Sequence, residues 1–133
     1  MFLTKSPPKH PHLVNIKQGL GISGIATESS SWRFTPSKDD GRKGAQIDLI
    51  IKRSDKVIHL VEMKFCESQF TITKEYESRL QERKRLFMET TGIKRGVVHT
   101  FITPYGLKKG MHTSFIHSQL TSGDLFAEIR KQW

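Results

Sequence analysis

The sequence predicts an α/β fold, and three observations carry that expectation. Two apolar arms, at 45–53 (AQIDLIIKR) and 57–65 (VIHLVEMKF), flank the polar residues Arg53, Ser54, Asp55 and Lys56 and read as a β-hairpin. The run KEYESRLQERKRLFMETT, from Lys74 to Thr91, has the length and spacing of one long amphipathic helix. The stretch GVVHTFIT, at 96–103, then reads as a strand that stops at Pro104. A helix that joins one strand to a later one favours a parallel crossover, so the expected architecture is a mixed central sheet flanked by helices.

The remaining elements follow in order. Residues 1–12 hold three prolines and two histidines and read as an extended or loosely packed tail, leaving 13–133 as a single domain. Leu13, Ile16 and Leu20 stand at helical spacing in LVNIKQGL, a short helix that Gly19 and Gly21 can end. Trp32 to Thr35 suggests a strand, and the loop PSKDDGRKG carries five charges in nine residues before the hairpin. Thr73 can cap the long helix, Glu75 and Glu77 suit the positive end of its dipole, and Gly92 suits its left-handed stop. Tyr76, Leu80 and Phe87 mark its expected inner stripe, with the stem of Lys84 filling the gap. Met111 to His117 reads as another strand and Asp124 to Arg130 as a short last helix. The expected order is α-β-β-β-α-β-β-α.

A chain of 133 residues can bury a core without staples. Its 22 Lys+Arg against 13 Asp+Glu give a net charge of +9, which favours a polyanionic partner, although basic solubility alone gives the same balance. No run of about 18 apolar residues occurs, so no membrane partner is expected. The N-terminus lacks the apolar core of a signal peptide, and the single cysteine, Cys66, rules out an internal disulfide and a zinc site built on cysteines. The expected location is cytoplasmic.

The chemistry concentrates in the hairpin. Side chains on a strand alternate faces, so Glu62 and Lys64 point one way while Val61, Met63 and Phe65 point the other. A carboxylate and an ammonium on an apolar strand are costly to desolvate unless a metal or an anion compensates them. Asp48, on the neighbouring arm, can supply a second carboxylate. Two carboxylates and an ammonium make a working set for metal-assisted cleavage of a phosphodiester. They also make an ordinary salt-bridge cluster or an exposed hairpin face.

Asp48 followed by Glu62-Met63-Lys64, on a hairpin before a helix, resembles the PD-(D/E)xK nuclease superfamily. More narrowly, LGISG, SSSWRF, GAQIDLIIKRSDKVIHLVEMKF and FTITKEY look like the C-terminal nuclease-like domain of prokaryotic AAA-type ATPases, across roughly residues 13–126. The resemblance implies a restriction-endonuclease-like fold and Mg²⁺-dependent hydrolysis of DNA. Asp48, Glu62 and the Met63 carbonyl would hold the Mg²⁺, with Mn²⁺ as a substitute, and Lys64 would orient the attacking water or neutralise the phosphate. Gln46, Arg42, Lys43, Arg79 and Arg83 are the expected nucleic-acid contacts, and a homodimer is left open. Tyr76 is expected in the core.

Two departures separate the chain from that pattern. Many members add an acid from the first helix, whereas the corresponding stretch here is Lys5-Ser6-Pro7-Pro8 and the first acid is Glu28. No G-x-x-x-x-G-K-[ST] motif occurs, so the expected chain is a detached domain, a fragment or a truncated product without P-loop ATP hydrolysis. The missing acid favours a second reading, a catalytically weak or inactive DNA- or protein-binding module of the same fold. Other residues invite less. His10 and His12 belong to the tail, His99 suits a packed strand, and His112 and His117 have no evident carboxylate partner. Cys66 has no evident base, Trp32 suits packing, and Trp133 is terminal.

Overall fold

A computed structural model of the chain describes residues 3–5 and 12–125. Nine elements occur there in the order β1 (Leu3–Lys5), α1 (Leu13–Leu20), β2 (Thr27–Phe34), β3 (Ala45–Arg53), β4 (Ile58–Met63), α2 (Lys74–Thr91), β5 (Val97–Ile102), β6 (Ile116–Leu120) and α3 (Ser122–Leu125). The strands form one six-stranded sheet in sequence order. Neighbours from β1 to β4 are antiparallel, while β4–β5 and β5–β6 are parallel. The fold is therefore α/β with a mixed sheet, and α2 is the crossover between β4 and β5.

Apolar periodicity explains which helix covers which face. Leu13 and Ile16 of α1 pack with Leu49, Ile51, Val61, Ile102 and Leu120 on one side of the sheet. Leu86 and Phe87 of α2 pack with Trp32, Phe34, Ile47, Ile50 and Leu60 on the other. The Trp32 and Phe87 rings meet edge to face at 5.6 Å. Near the start of α2, Leu80 joins Ile72, Phe101 and Leu107 in a third cluster. The caps fall where the composition places them. Thr73 Oγ1 accepts the Tyr76 N–H, and Gly92 (φ 76°) closes α2 by donating its N–H to the Met88 carbonyl. Gly96 (φ 81°) is fixed by close approach, since a Cβ there would stand 2.4 Å from the Lys56 carbonyl oxygen.

Several expectations are corrected. Part of the expected tail, Leu3–Lys5, is an edge strand in register with Ser30–Trp32. β2 starts at Thr27, because the polar run Glu28–Ser31 pairs through its backbone with β3. β4 is Ile58–Met63, inside the expected 57–65 arm. The last strand is Ile116–Leu120, not Met111–His117. The earlier stretch turns instead, with Ile116 N–H bonded to the Thr113 carbonyl at 3.1 Å and Met111 82% exposed. The buried residues of α2 are Leu80, Leu86 and Phe87, with Tyr76 and Lys84 half-buried at the margin of the expected stripe. The last helix begins at Ser122, and the rest of its expected span, 126–130, lies outside the described residues. So do Ser6-Pro7-Pro8, His10 and Trp133.

One irregularity positions the hairpin's chemistry. Ser30 pairs with Ile50 and Trp32 with Ile47, so Ser31 alone faces the two residues Asp48 and Leu49. This is a β-bulge, which bends a strand and re-aims the side chains that it carries.

Candidate nucleic-acid interface

The start of β3, the end of β4 and the first turns of α2 enclose a groove of about 650 Å³. The β3 side contributes Arg42, Lys43 and Gln46, the β4 side Glu62 and Lys64, and α2 contributes Tyr76, Arg79, Glu82 and Arg83. The helical residues belong together because positions three, four and seven apart share a helix face. All five expected nucleic-acid contacts thus line one cleft, together with Glu62 and Lys64. Five cations (Arg42, Lys43, Lys64, Arg79, Arg83) face two carboxylates, Glu62 and Glu82, which gives the groove an excess of positive charge.

Glu62 is the polar centre of the groove. Arg83 Nη2 donates to Glu62 Oε2 at 2.5 Å, while Tyr76 Oη donates to Oε1 at 3.2 Å and Lys64 Nζ lies 3.8 Å from the same oxygen. Arg83 Nη1 also donates to the Gln46 backbone carbonyl at 3.2 Å. Its Nε is buried and, among the described residues, has no hydrogen-bond partner. Lys64 and Arg79 both lie over the Tyr76 ring, at 5.6 and 5.3 Å from its centroid. Burial and the neighbouring Glu62 carboxylate push the Tyr76 phenol well above its ordinary ionisation range, so it stays a donor. The core role expected of Tyr76 is half of what it does: its ring packs on Phe70 and Phe101 while its hydroxyl serves Glu62.

Asp48 is placed differently. It is exposed, receives Gln46 Nε2 at 2.5 Å, and does not line the groove. Gln46 Oε1 in turn accepts from Arg33 Nη2 at 2.8 Å. Gln46 and Asp48 therefore share a side, as alternation predicts, and Gln46 links Asp48 to the groove wall. Arg42 is engaged by Asp40 at 2.5 Å, which holds the Asp40 carboxyl below its usual range, and it lies 4.7 Å from the centroid of the Phe34 ring. Glu28 pairs with Lys52, at the end of the β2–β3 ladder remote from Gln46 and Arg33, and α1 carries no acid.

Other expectations resolve beside the groove. His112 does have a carboxylate partner: its Nδ1 is 2.8 Å from Glu77 Oε1, because the loop before β6 folds against the first turn of α2. His99 is buried against Phe115, and Trp32 is a core residue. Cys66 Sγ donates to the Ser68 carbonyl. The sequence reading missed His59, which is 1% exposed. Its Nδ1 meets Thr100 Oγ1 at 2.8 Å and its Nε2 meets Arg53 Nη1 at 3.3 Å. Arginine can only donate, so Nε2 accepts and Nδ1 carries the proton. A His inside the apolar arm VIHLVEMKF was the available signal.

Oxygen donors of the kind that a hard divalent cation takes are present, but the structure does not bring them together. Asp48, Glu62 and the Met63 carbonyl offer oxygens, but the β3–β4 pairing ends at Leu49–Val61, Asp48 lies in the bulge outside the groove, and Glu62 is bonded to Arg83. Among the described residues no three His, Cys, Asp or Glu side chains come together as a group that could hold a metal ion. The Arg83 guanidinium, held between Glu62 and the Gln46 carbonyl, already supplies the counter-charge to Glu62. As arranged here, these residues do not fit such an ion.

Among the described residues no helix is long and apolar enough to cross a membrane. Comparison with known proteins finds no matching family model, no matching curated protein and no matching solved structure.

Proposed function

We propose that this chain is a PD-(D/E)xK-type, nuclease-like domain that binds DNA in the groove between α2 and the β3–β4 hairpin and hydrolyses its phosphodiester bonds. The observation that carries the reading is the convergence of Arg42, Lys43, Arg79 and Arg83, far apart in sequence, around Glu62 and Lys64. Arg42, Lys43 and Arg79 contact backbone phosphates and set the register of the strand. Asp48, Glu62 and the Met63 carbonyl would hold a Mg²⁺, with Mn²⁺ as a substitute. When bound, the ion supplies an activated water and charge for the scissile phosphate. Lys64, 3.8 Å from Glu62, places an ammonium beside the developing charge, and Tyr76 fixes the Glu62 carboxylate through Oε1.

Cleavage of plasmid or branched DNA in Mg²⁺ or Mn²⁺ tests this reading. Asp48→Ala and Lys64→Ala are each expected to abolish it, and undiminished cleavage by either variant contradicts it. One observation favours the second reading, a DNA- or protein-binding module of the same fold: Glu62 is already neutralised by Arg83, and Asp48 stands outside the groove. Salt-sensitive DNA binding with no metal heat in calorimetry selects that reading.

A further inference from the structure

We propose that a cavity between α2, β5 and the loop before β6 is a second ligand site, for a small molecule that joins a flat aromatic ring to one anionic group. It stands apart from the groove, and the inference holds whether or not the groove binds DNA.

The spacing of residues on α2 builds this site. Gln81, Lys84, Arg85 and Met88 stand at i, i+3, i+4 and i+7, so they share one flank of the helix. Tyr76, Arg79 and Arg83, which line the groove, lie on the opposite flank. His99 of β5 and Phe115 complete the cavity, which encloses about 360 Å³. That volume is at the small end of ligand sites and suits one ring system with one anionic group.

Three observations say what fits there. First, His99 is 4% exposed, yet its Nε2 is buried without a hydrogen-bond partner among the described residues. Buried polar atoms are almost always paired, so an unpaired one beside a cavity marks a place for a bound group. Burial, followed by the charges of Lys84 and Arg83, pushes His99 down to about 4, so at neutral pH its ring offers one donor and one acceptor. Second, Lys84 is half-buried and makes no ion pair among the described residues, whereas Arg85 is engaged by Glu82 and Glu89. No carboxylate lines the cavity, so an anion is the complement of the Lys84 ammonium. Third, Met88 and Phe115 supply apolar walls, and the Phe115 ring stands edge-on to His99 at 5.1 Å between centroids. A flat ring packs on that pair and turns its polar edge to His99 and Gln81. The Gln81 Nε2 is already given to Glu77, which leaves its carbonyl oxygen to accept.

A nucleoside monophosphate and an aromatic carboxylate share this chemistry, and the test separates them. The experiment is calorimetric titration of the full chain with adenosine monophosphate, para-hydroxybenzoate, adenosine and inorganic phosphate, together with nitrogen NMR of the histidine rings. At least one of the two aromatic anions is expected to bind about tenfold tighter than adenosine or phosphate and to shift the His99 ring signals. Which of the two binds identifies the source. Lys84→Met keeps the packed stem without the charge and is expected to weaken that binding about tenfold. Phe115→Leu is also expected to weaken it, which preserves the test if Lys84→Met does not fold. Phosphate binding as tight as that of either aromatic anion removes the role of the ring and overturns the proposal. Loss of binding in Arg79→Ala, with Lys84→Met unchanged, puts the ligand in the basic groove and overturns it as well. Absence of binding by both aromatic anions, with the His99 signals unmoved, does the same and leaves the reading of the groove untouched.

Discussion

Arg83 Nη2 and Glu62 Oε2 stand 2.5 Å apart, joining the third turn of α2 to the end of β4, with their side chains 20% and 18% exposed. This pair differs from the solvent pairs on the outer face of α2, such as Arg85 with Glu82, whose side chains are 68% and 63% exposed. Charges that are four-fifths withdrawn from water attract each other more strongly, but each is also harder to leave alone.

The pair is therefore expected to be asymmetric under mutation. Arg83→Ala leaves Glu62 with Tyr76 and Lys64 as partners and is expected to cost about 1 kcal/mol of stability. Glu62→Ala leaves a guanidinium with a buried, unpartnered Nε and no counter-charge and is expected to cost about 2 kcal/mol or more. Urea unfolding of the two variants checks the order, and a larger loss for Arg83→Ala contradicts it.

DNA binding through the groove is expected to be steeply salt-dependent. Lys43→Ala and Arg79→Ala each remove one groove cation without touching Glu62 by hydrogen bond or ion pair. Each is expected to weaken binding uniformly across sequences and to lower the slope of log K against log salt by about 0.9. Fluorescence anisotropy of a labelled duplex at several salt concentrations measures both. An unchanged slope in both variants places DNA elsewhere on the protein.

Much of the fold was legible because its signals are local. The hairpin, the long helix with Thr73 and Gly92 at its ends, and the crossover to β5 follow from apolar alternation, capping chemistry and glycine's freedom at positive φ. The errors lie where pairing is decided by backbone rather than by side chains. The polar run Glu28–Ser31 is a strand because β3 lies beside it, and Met111 to Phe115 is not one despite its apolar residues. The groove was half legible. The spacing of Tyr76, Arg79 and Arg83 puts them on one face of a helix, but no local signal says that Arg83 reaches Glu62, a contact across 21 positions. The separation of Asp48 from the groove lining was illegible for a similar reason, since the bulge at Asp48 and Leu49 appears only against the register of β2.

Stability is expected to fall on acidification between pH 6.5 and 4. Burial, followed by the neighbouring charges of Arg53 and His117, pushes His59 down to about 4. Burial, followed by Lys84 and Arg83, pushes His99 down to about 4. The unfolded chain, with histidines near 6.5, then binds more protons than the folded one throughout this window. Stability is full above pH 6.5 and declines as pH drops toward 4, by at most about 1.4 kcal/mol per pH unit for each histidine. Urea midpoints at pH 7 and pH 5 measure the decline. His59→Gln and His99→Gln are each expected to flatten it, and an unchanged slope in both variants refutes the assignment.

The most direct test of the central claim, that Glu62 anchors a hydrolytic cation in a DNA-binding groove, is anomalous diffraction from a crystal grown with a short DNA duplex and soaked with Mn²⁺. The account predicts one anomalous peak contacted by Asp48, Glu62 and the Met63 carbonyl. A filled groove with no peak at Glu62 would contradict it.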